Sequence, residues 1–284
     1  MHTPSYIFFG TPDVASHTLE LLAQKEMLPL CIVTSPDRPS GRGMHMAETP
    51  VSLWAHKHAI PILKPERITQ DLIEELKKYT ADVFIVVAYG KILPEALINL
   101  PPRGTYNIHY SLLPEYRGAS PVEEALLEGR TTTGVTIQKM IFKLDAGNIV
   151  AQVEEPISHD DTKESLRSRL IEKGAHALID IFPKLGTSEL VETVQDETKA
   201  SHCSKIKKED GEIDPTGDQR LNFNKYRAFE NWPGVYFFVE HKGIRMRVKI
   251  KRARFENNSF VIERVVPEGK KEMSFEEFTR YLKG

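Results

Sequence analysis

The chain has 284 residues, 40% of them hydrophobic and 27% charged, the balance of an ordinary globular protein with room for two cores. No apolar run reaches membrane-spanning length and no basic-then-apolar leader opens the chain, so a soluble protein of the cytoplasm is expected. Two cysteines argue against a disulfide framework or a cysteine-based metal site.

The net charge of −2 hides an asymmetry. Residues 204–284 hold 18 Lys and Arg against 13 Asp and Glu, a net of +5, which leaves −7 for residues 1–203. A basic C-terminal part on an acidic body suggests an anionic partner held by the smaller part. No internal repeat or low-complexity tract is present.

Tyr6-Ile7-Phe8-Phe9 reads as a buried strand, followed by Gly10-Thr11-Pro12-Asp13, where Thr11 or Asp13 is placed to cap a helix over 14–25. A second strand runs from Leu30 to Val33 and buries Cys31. The loop from Ser35 to Met46, with Arg38 and Arg42, is about twice the usual 2–6 residues of a strand-to-helix connection. It reads as a flexible arm for a phosphate-bearing partner, or as solvated surface charge. Helices are expected over 51–59, 69–79 and 94–99, with a central strand from Asp82 to Gly90.

Tyr106-Asn107-Ile108-His109-Tyr110-Ser111-Leu112-Leu113-Pro114 is the stretch around which the rest is arranged. Alternation along a strand puts Asn107 and His109 on one face. Polar side chains are costly inside a covered strand, but suit the carboxyl end of a strand in an open α/β sheet, where ligands bind. A lone buried histidine is usually structural; the Asn-x-His pair running into Ser-Leu-Leu-Pro points to chemistry. An amide, an imidazole and a carboxylate from Asp145 make a toolkit for acyl transfer.

Pro121 to Leu127 reads as a helix, and Gly134 to Met140 and 149–154 as strands. A helix begins after the capping pattern Asp161-Thr162-Lys163-Glu164 and ends near Pro183. Strands alternating with helices indicate a Rossmann-like, largely parallel α/β sheet domain over 1–188. Residues 189–205, which include Cys203, read as a polar linker to a C-terminal domain over 206–284. There, a helix near 218–229 precedes strands at 235–239 and 244–251. In the latter, Ile244, Met246, Val248 and Ile250 form one face, and Arg245, Arg247, Lys249 and Lys251 the other. With no acidic residue between Lys242 and Arg254, that stripe is expected to contact nucleic acid electrostatically.

The chain resembles the methionyl-tRNA formyltransferases nearly end to end. The resemblance is carried by Phe9-Gly10-Thr11-Pro12-Asp13, Ser35 to Gly43, Val86 to Pro94, Asn107 to Pro114, Tyr116-Arg117-Gly118-Ala119-Ser120-Pro121, Gly134 to Ile137 and Leu144-Asp145-Ala146-Gly147. In the C-terminal part it rests on Arg227 to Gly234 and Gly269 to Ser274. The resemblance implies formyl transfer from 10-formyltetrahydrofolate, a cosubstrate, to the α-amine of methionyl initiator tRNA, without a metal or an obligate protein partner. It further implies Asn107, His109 and Asp145 as the catalytic trio, folate contacts from Ser111, Leu112, Leu113, Pro114 and Tyr89, and tRNA contacts from Arg38 and Arg42. The C-terminal domain is then a small OB-type β-barrel that binds tRNA, abbreviated here because Arg254 to Gly269 has room for about one strand. Met44-His45-Met46 stands where the family often carries lysines, which implies a weaker grip by the arm. Three other readings keep the fold: an amino-sugar acceptor, water as acceptor in a formyltetrahydrofolate hydrolase, and a non-catalytic RNA-binding protein.

Overall fold

The structure, a computed structural model, describes residues 3–40 and 45–283. In chain order it begins with β1 (Tyr6–Gly10), α1 (Asp13–Ala23), β2 (Cys31–Val33), β3 (Arg38–Ser40), β4 (His45–Ala47), α2 (Pro50–Lys57), β5 (Ile62–Leu63) and α3 (Gln70–Lys77). Then come β6 (Val83–Val87), α4 (Glu95–Ile98), β7 (Thr105–His109), β8 (Arg117–Gly118), α5 (Pro121–Leu127), β9 (Thr132–Lys139), β10 (Asn148–Pro156) and α6 (Lys163–Ile181). The remainder is β11 (His202–Cys203), α7 (Gln219–Ala228), β12 (Tyr236–His241), β13 (Ile244–Glu256), β14 (Ser259–Pro267), β15 (Met273–Ser274) and α8 (Phe275–Lys283).

Two compact units result, each assembled from several segments. One takes Met1–Arg117, Gly134–Glu155 and Ser168–His202; the other takes Gly118–Thr133, Pro156–Arg167 and Cys203–Gly284. The expected linker is therefore largely part of the first unit. Ile149 and Thr193 exchange two backbone hydrogen bonds of 2.8 Å, and Ser201 accepts from the Arg117 amide at 2.9 Å. Cys203 is buried, and its Sγ lies 3.4 Å from the Ser120 amide.

The first unit holds a seven-stranded sheet in the order β10-β9-β7-β6-β1-β2-β5. Its pairs β1–β2, β1–β6, β2–β5 and β6–β7 are parallel, and β7–β9 is antiparallel. This is the expected Rossmann-like sheet. β1 and β6 are buried along their whole length, as strands covered on both faces must be. Ile7, Phe9, Phe84 and Val86 pack with Leu72, Ile73 and Leu76 of α3, and a large apolar side chain contributes roughly 1.5–3 kcal/mol when fully buried. Thr11 does not cap α1, whose N-cap is Pro12 without a side-chain bond. Its hydroxyl donates to the Tyr89 carbonyl at 3.1 Å and sits 3.1 Å from Ser35 Oγ, lacing the carboxyl ends of β1, β2 and β6.

The arm expected as an irregular loop carries a hairpin, β3 paired antiparallel with β4. Lys64, just past β5, closes its base. Its Nζ donates to both Asp37 oxygens at 2.8 and 3.0 Å and to Glu48 at 3.3 Å, and so spans the two legs. The Thr34 and Thr49 hydroxyls meet at 2.9 Å a little further down.

In the second unit, β12-β13-β14-β15 form a four-stranded antiparallel sheet, with β12 and β15 at its edges. Among the described residues these edges do not pair with each other, so the abbreviated domain is an open sheet. One strand, β14, occupies the stretch after Arg254, as the spacing implies. Phe237 turns inward against Phe275 and Phe278 of α8. That helix is not among the expected elements, although Ser274 and Glu277 announce it: Glu277 accepts from the Ser274 amide and Ser274 Oγ accepts from the Glu277 amide, a capping box.

Candidate functional site

Side chains opposite one another across an antiparallel pair share a face. In the β7–β9 register, Asn107 stands opposite Gln138 and His109 opposite Thr136. Ile108 and Ile137 point to the back face, where Gly174 of α6 comes so near that an added Cβ would meet Ile108 Cγ2 at 2.9 Å. The front face thus presents two residues named from the sequence, and two that were not, at the carboxyl end of β7.

Gln138 and Thr136 each fix a loop. The Gly147 amide donates to Gln138 Oε1 at 3.0 Å, so Gln138 Nε2 is left to donate to Asp145 Oδ1, at 2.9 Å. Asp145 is in the left-handed region, φ 47°, and a Cβ on Gly147 would lie 1.8 Å from the Lys139 carbonyl oxygen. Only glycine permits this approach, and the approach brings Asp145 to the site. Thr136 Oγ1 donates to the Ser111 carbonyl at 2.7 Å and accepts from the Leu113 amide at 3.0 Å. Gln152 Nε2 adds bonds to the Leu113 carbonyl and to Thr136. The Ser-Leu-Leu-Pro loop is therefore held through its backbone.

His109 is 6% exposed. Its Nε2 lies 2.9 Å from the carbonyl oxygen of Tyr116, itself left-handed at φ 57°. A carbonyl only accepts, so Nε2 carries the proton and Nδ1 is the nitrogen turned to the site. Nδ1 is 3.7 Å from Asp145 Oδ2, inside ion-pair range yet beyond a hydrogen bond.

Other expected contacts fall differently. Ser111 is buried and its hydroxyl donates to the Glu115 carbonyl at 2.6 Å; Leu113 is buried, while Leu112 and Pro114 are partly exposed. The Tyr89 ring is 2% exposed and packs edge-on against Phe9, and its burial pushes the phenol up to about 12. Its side chain belongs to the core, while Ala88 and Gly90 on either side of it are exposed. Arg38 is exposed on β3, and Arg42 lies outside the described residues.

On the second unit, Met246, Val248 and Ile250 are buried as expected, but Ile244 is 69% exposed. A bulge between Ile250 and Ala253 ends the alternation and exposes both Lys251 and Arg252. Tyr236 and Phe238 share the outer face with the basic residues. The Arg245 guanidinium lies 3.8 Å from the Phe238 ring centre and that of Arg247 5.4 Å from the Tyr236 ring. Acids come from other strands and loops: Glu212 is 3.6 Å from Arg245, and Glu263 pairs with Arg252 and Arg254. The stripe is less unbalanced than its own strand suggests.

No helix of the described residues is long and apolar enough to cross a membrane. An amide and an imidazole at the carboxyl end of a central strand of a Rossmann-like sheet, with a carboxylate brought in on a loop, are the parts that acyl-group transfer uses. The Formyl transferase family model matches residues 5–182, and the Formyl transferase, C-terminal domain model matches 205–261. A methionyl-tRNA formyltransferase of Sulfurihydrogenibium sp. is 43% identical over 81% of this chain and 75% of its own length; one of Geotalea daltonii is 35% identical over 96% and 93%. Among solved structures, HypX from Aquifex aeolicus in complex with tetrahydrofolic acid superposes with a TM-score of 0.65 at 15% identity, over 100% of this chain and 48% of that one. The chain belongs to the formyl transferase family.

Proposed function

We infer that this chain transfers a formyl group from 10-formyltetrahydrofolate to the α-amine of methionyl initiator tRNA, in the cytoplasm, as a step of translation initiation. The reading is carried by similarity to a methionyl-tRNA formyltransferase over 96% of the chain, both units included.

The chemistry asks little of a base at first. An α-amine with a pKa near 8 or below keeps a substantial neutral fraction at physiological pH. Attack on the formyl carbon drives negative charge onto its oxygen, where the Asn107 amide and the protonated Nδ1 of His109 are the donors. Asp145, whose Oδ2 lies 3.7 Å from His109 Nδ1, takes the proton shed by the amine. Passing that proton to N10 as the C–N10 bond breaks leaves tetrahydrofolate and the formylated amine. Ser111 to Pro114 would present backbone and the partly exposed Leu112 and Pro114 to the folate, with Tyr89 contributing through the Ala88–Gly90 turn rather than its ring.

The acceptor end of the tRNA would meet the β3–β4 arm with Arg38 and Arg42. Arg245, Arg247, Lys249 and Lys251 would meet its backbone electrostatically. Residues 1–188 then carry the chemistry and 206–284 the tRNA contact, with 118–133 and 156–167 folding in the second unit. The test supplies 10-formyltetrahydrofolate with Met-tRNA, with an amino sugar, or with neither. Formylated Met-tRNA in the first arm alone is the expected result; formyl-sugar, or formate released without an acceptor, would replace the reading.

A further inference from the structure

Residues 189–205 look featureless in sequence, yet they place Gln195 against the back of the Asp145 loop. Gln195 is 5% exposed. Its Nε2 donates to the carbonyl oxygens of Asp145, at 2.9 Å, and Gly147, at 2.7 Å. Its Oε1 accepts from Nε and Nη2 of Arg117 at 3.1 and 2.8 Å. Arginine has donors only, so the guanidinium dictates which end of the amide faces the loop. Arg117 is 1% exposed, and Glu197 forks its other face at 3.1 and 3.0 Å while also receiving Lys143 at 3.0 Å. From one side Gln138 holds the Asp145 carboxylate and the Gly147 amide; from the other Gln195 holds the two carbonyls. A loop with a left-handed aspartate between two amides has little freedom to move that carboxylate.

We propose that Gln195 is a positioning residue for the reaction, fixing the Asp145 carboxylate at its distance from His109 Nδ1, and that Arg117 acts by orienting Gln195. The proposal rests on the reading of Asp145 as a reacting group.

Gln195→Glu separates positioning from folding. The new carboxylate still accepts from Arg117, so the buried guanidinium keeps its partners, but it donates nothing to the loop and repels both carbonyls. Steady-state kinetics with 10-formyltetrahydrofolate and Met-tRNA should show kcat lowered by about 100-fold, since a reacting group displaced by about 1 Å costs that much. Both KM values should stay within about threefold, as expected when only the transition state is affected. Melting within about 3 °C of the parent, on the order of a 1 kcal/mol change for a unit of this size, would exclude general unfolding. If Gln195→Glu does not fold, Gln195→Met, assayed below its melting temperature, removes the same donors at similar volume and should show the same drop in kcat. Asp145→Asn, measured alongside, separates two failures. If it keeps full kcat, the reading of the site is wrong; if it loses kcat while Gln195→Glu does not, the positioning role alone is overturned.

Discussion

The Nε2 of His109 donates to the main-chain oxygen of Tyr116 at 2.9 Å, which decides which ring nitrogen reaches the substrate. A main-chain acceptor cannot ionise or rotate away, so the tautomer is set by the fold. The amide nitrogen of asparagine falls near Nδ1 of a histidine it replaces, and that of glutamine near Nε2. His109→Asn should therefore keep more activity than His109→Gln. His109→Ala and Asn107→Ala should each lower kcat by about 100–1,000-fold, the usual cost of an oxyanion donor, with tRNA affinity little changed. Single-turnover formylation checks all four; unchanged turnover in the alanine variants would remove these side chains from the mechanism.

Lys64 ties Asp37 to Glu48 across the base of the arm. Burial pulls its pKa down, but the bonds to the two carboxylates outweigh this and hold it above the ordinary value. Lys64→Met should raise KM for Met-tRNA by about 3–10-fold, equivalent to about 0.7–1.4 kcal/mol at 1.4 kcal/mol per decade, and leave KM for the folate alone. Lys64→Arg should restore most of the affinity. An equal rise in both KM values would mean that the clamp serves the whole unit rather than the arm.

Arg247 and Lys249 sit on the exposed face of β13 beside aromatic rings. Replacing either by glutamine should weaken tRNA binding for all sequences alike and flatten the plot of log affinity against log salt by about 0.7–0.9 for each phosphate no longer neutralised. Arg245 shares its charge with Glu212, so Arg245→Gln should flatten it less. Filter binding over a salt series reads both; an unchanged slope in every variant would take this face out of tRNA contact.

Glu197 makes a sharper statement about pH. Hydrogen bonds from Arg117 and then Lys143 lower its carboxyl from 4.5 to about 2. A carboxyl depressed on folding stabilises the native state above its unfolded value, and that stabilisation fades as pH falls through the folded one. The melting temperatures of the parent and Glu197→Gln should thus differ most above pH 4.5 and converge toward pH 2. A difference that stays constant across this range would show that the pair contributes nothing through ionisation.

Much of the fold can be read from the sequence because hydrophobic runs and caps are local. β1, β6, α5 and α6 fall where periodicity puts them, and Asn107 and His109 share a face because alternation requires it. What escapes is set by register and distance. Gln138 matters because it lies opposite Asn107, and no pattern within its own strand says so. Gln195 is a polar residue in a polar stretch, and only the packed chain reveals its buried arginine partner. Tyr89 shows the opposite case: its place in the motif is local, but only packing shows that its ring turns inward beside Phe9. The bulge after Ile250 ends the alternation, so Arg252 is exposed beside Lys251, which no pattern before it foretells.

Segments 118–133 and 156–167 are interleaved with the catalytic stretches but fold with the C-terminal part. Val122, Ala125 and Leu126 of α5 are buried in that company, and Asn224 of α7 donates to the Leu127 carbonyl at 3.2 Å. A shortened gene ending at residue 188 or 205 would strip the cover from this helix and yield a sticky, aggregating product. The tail is therefore not a module that one cut can detach.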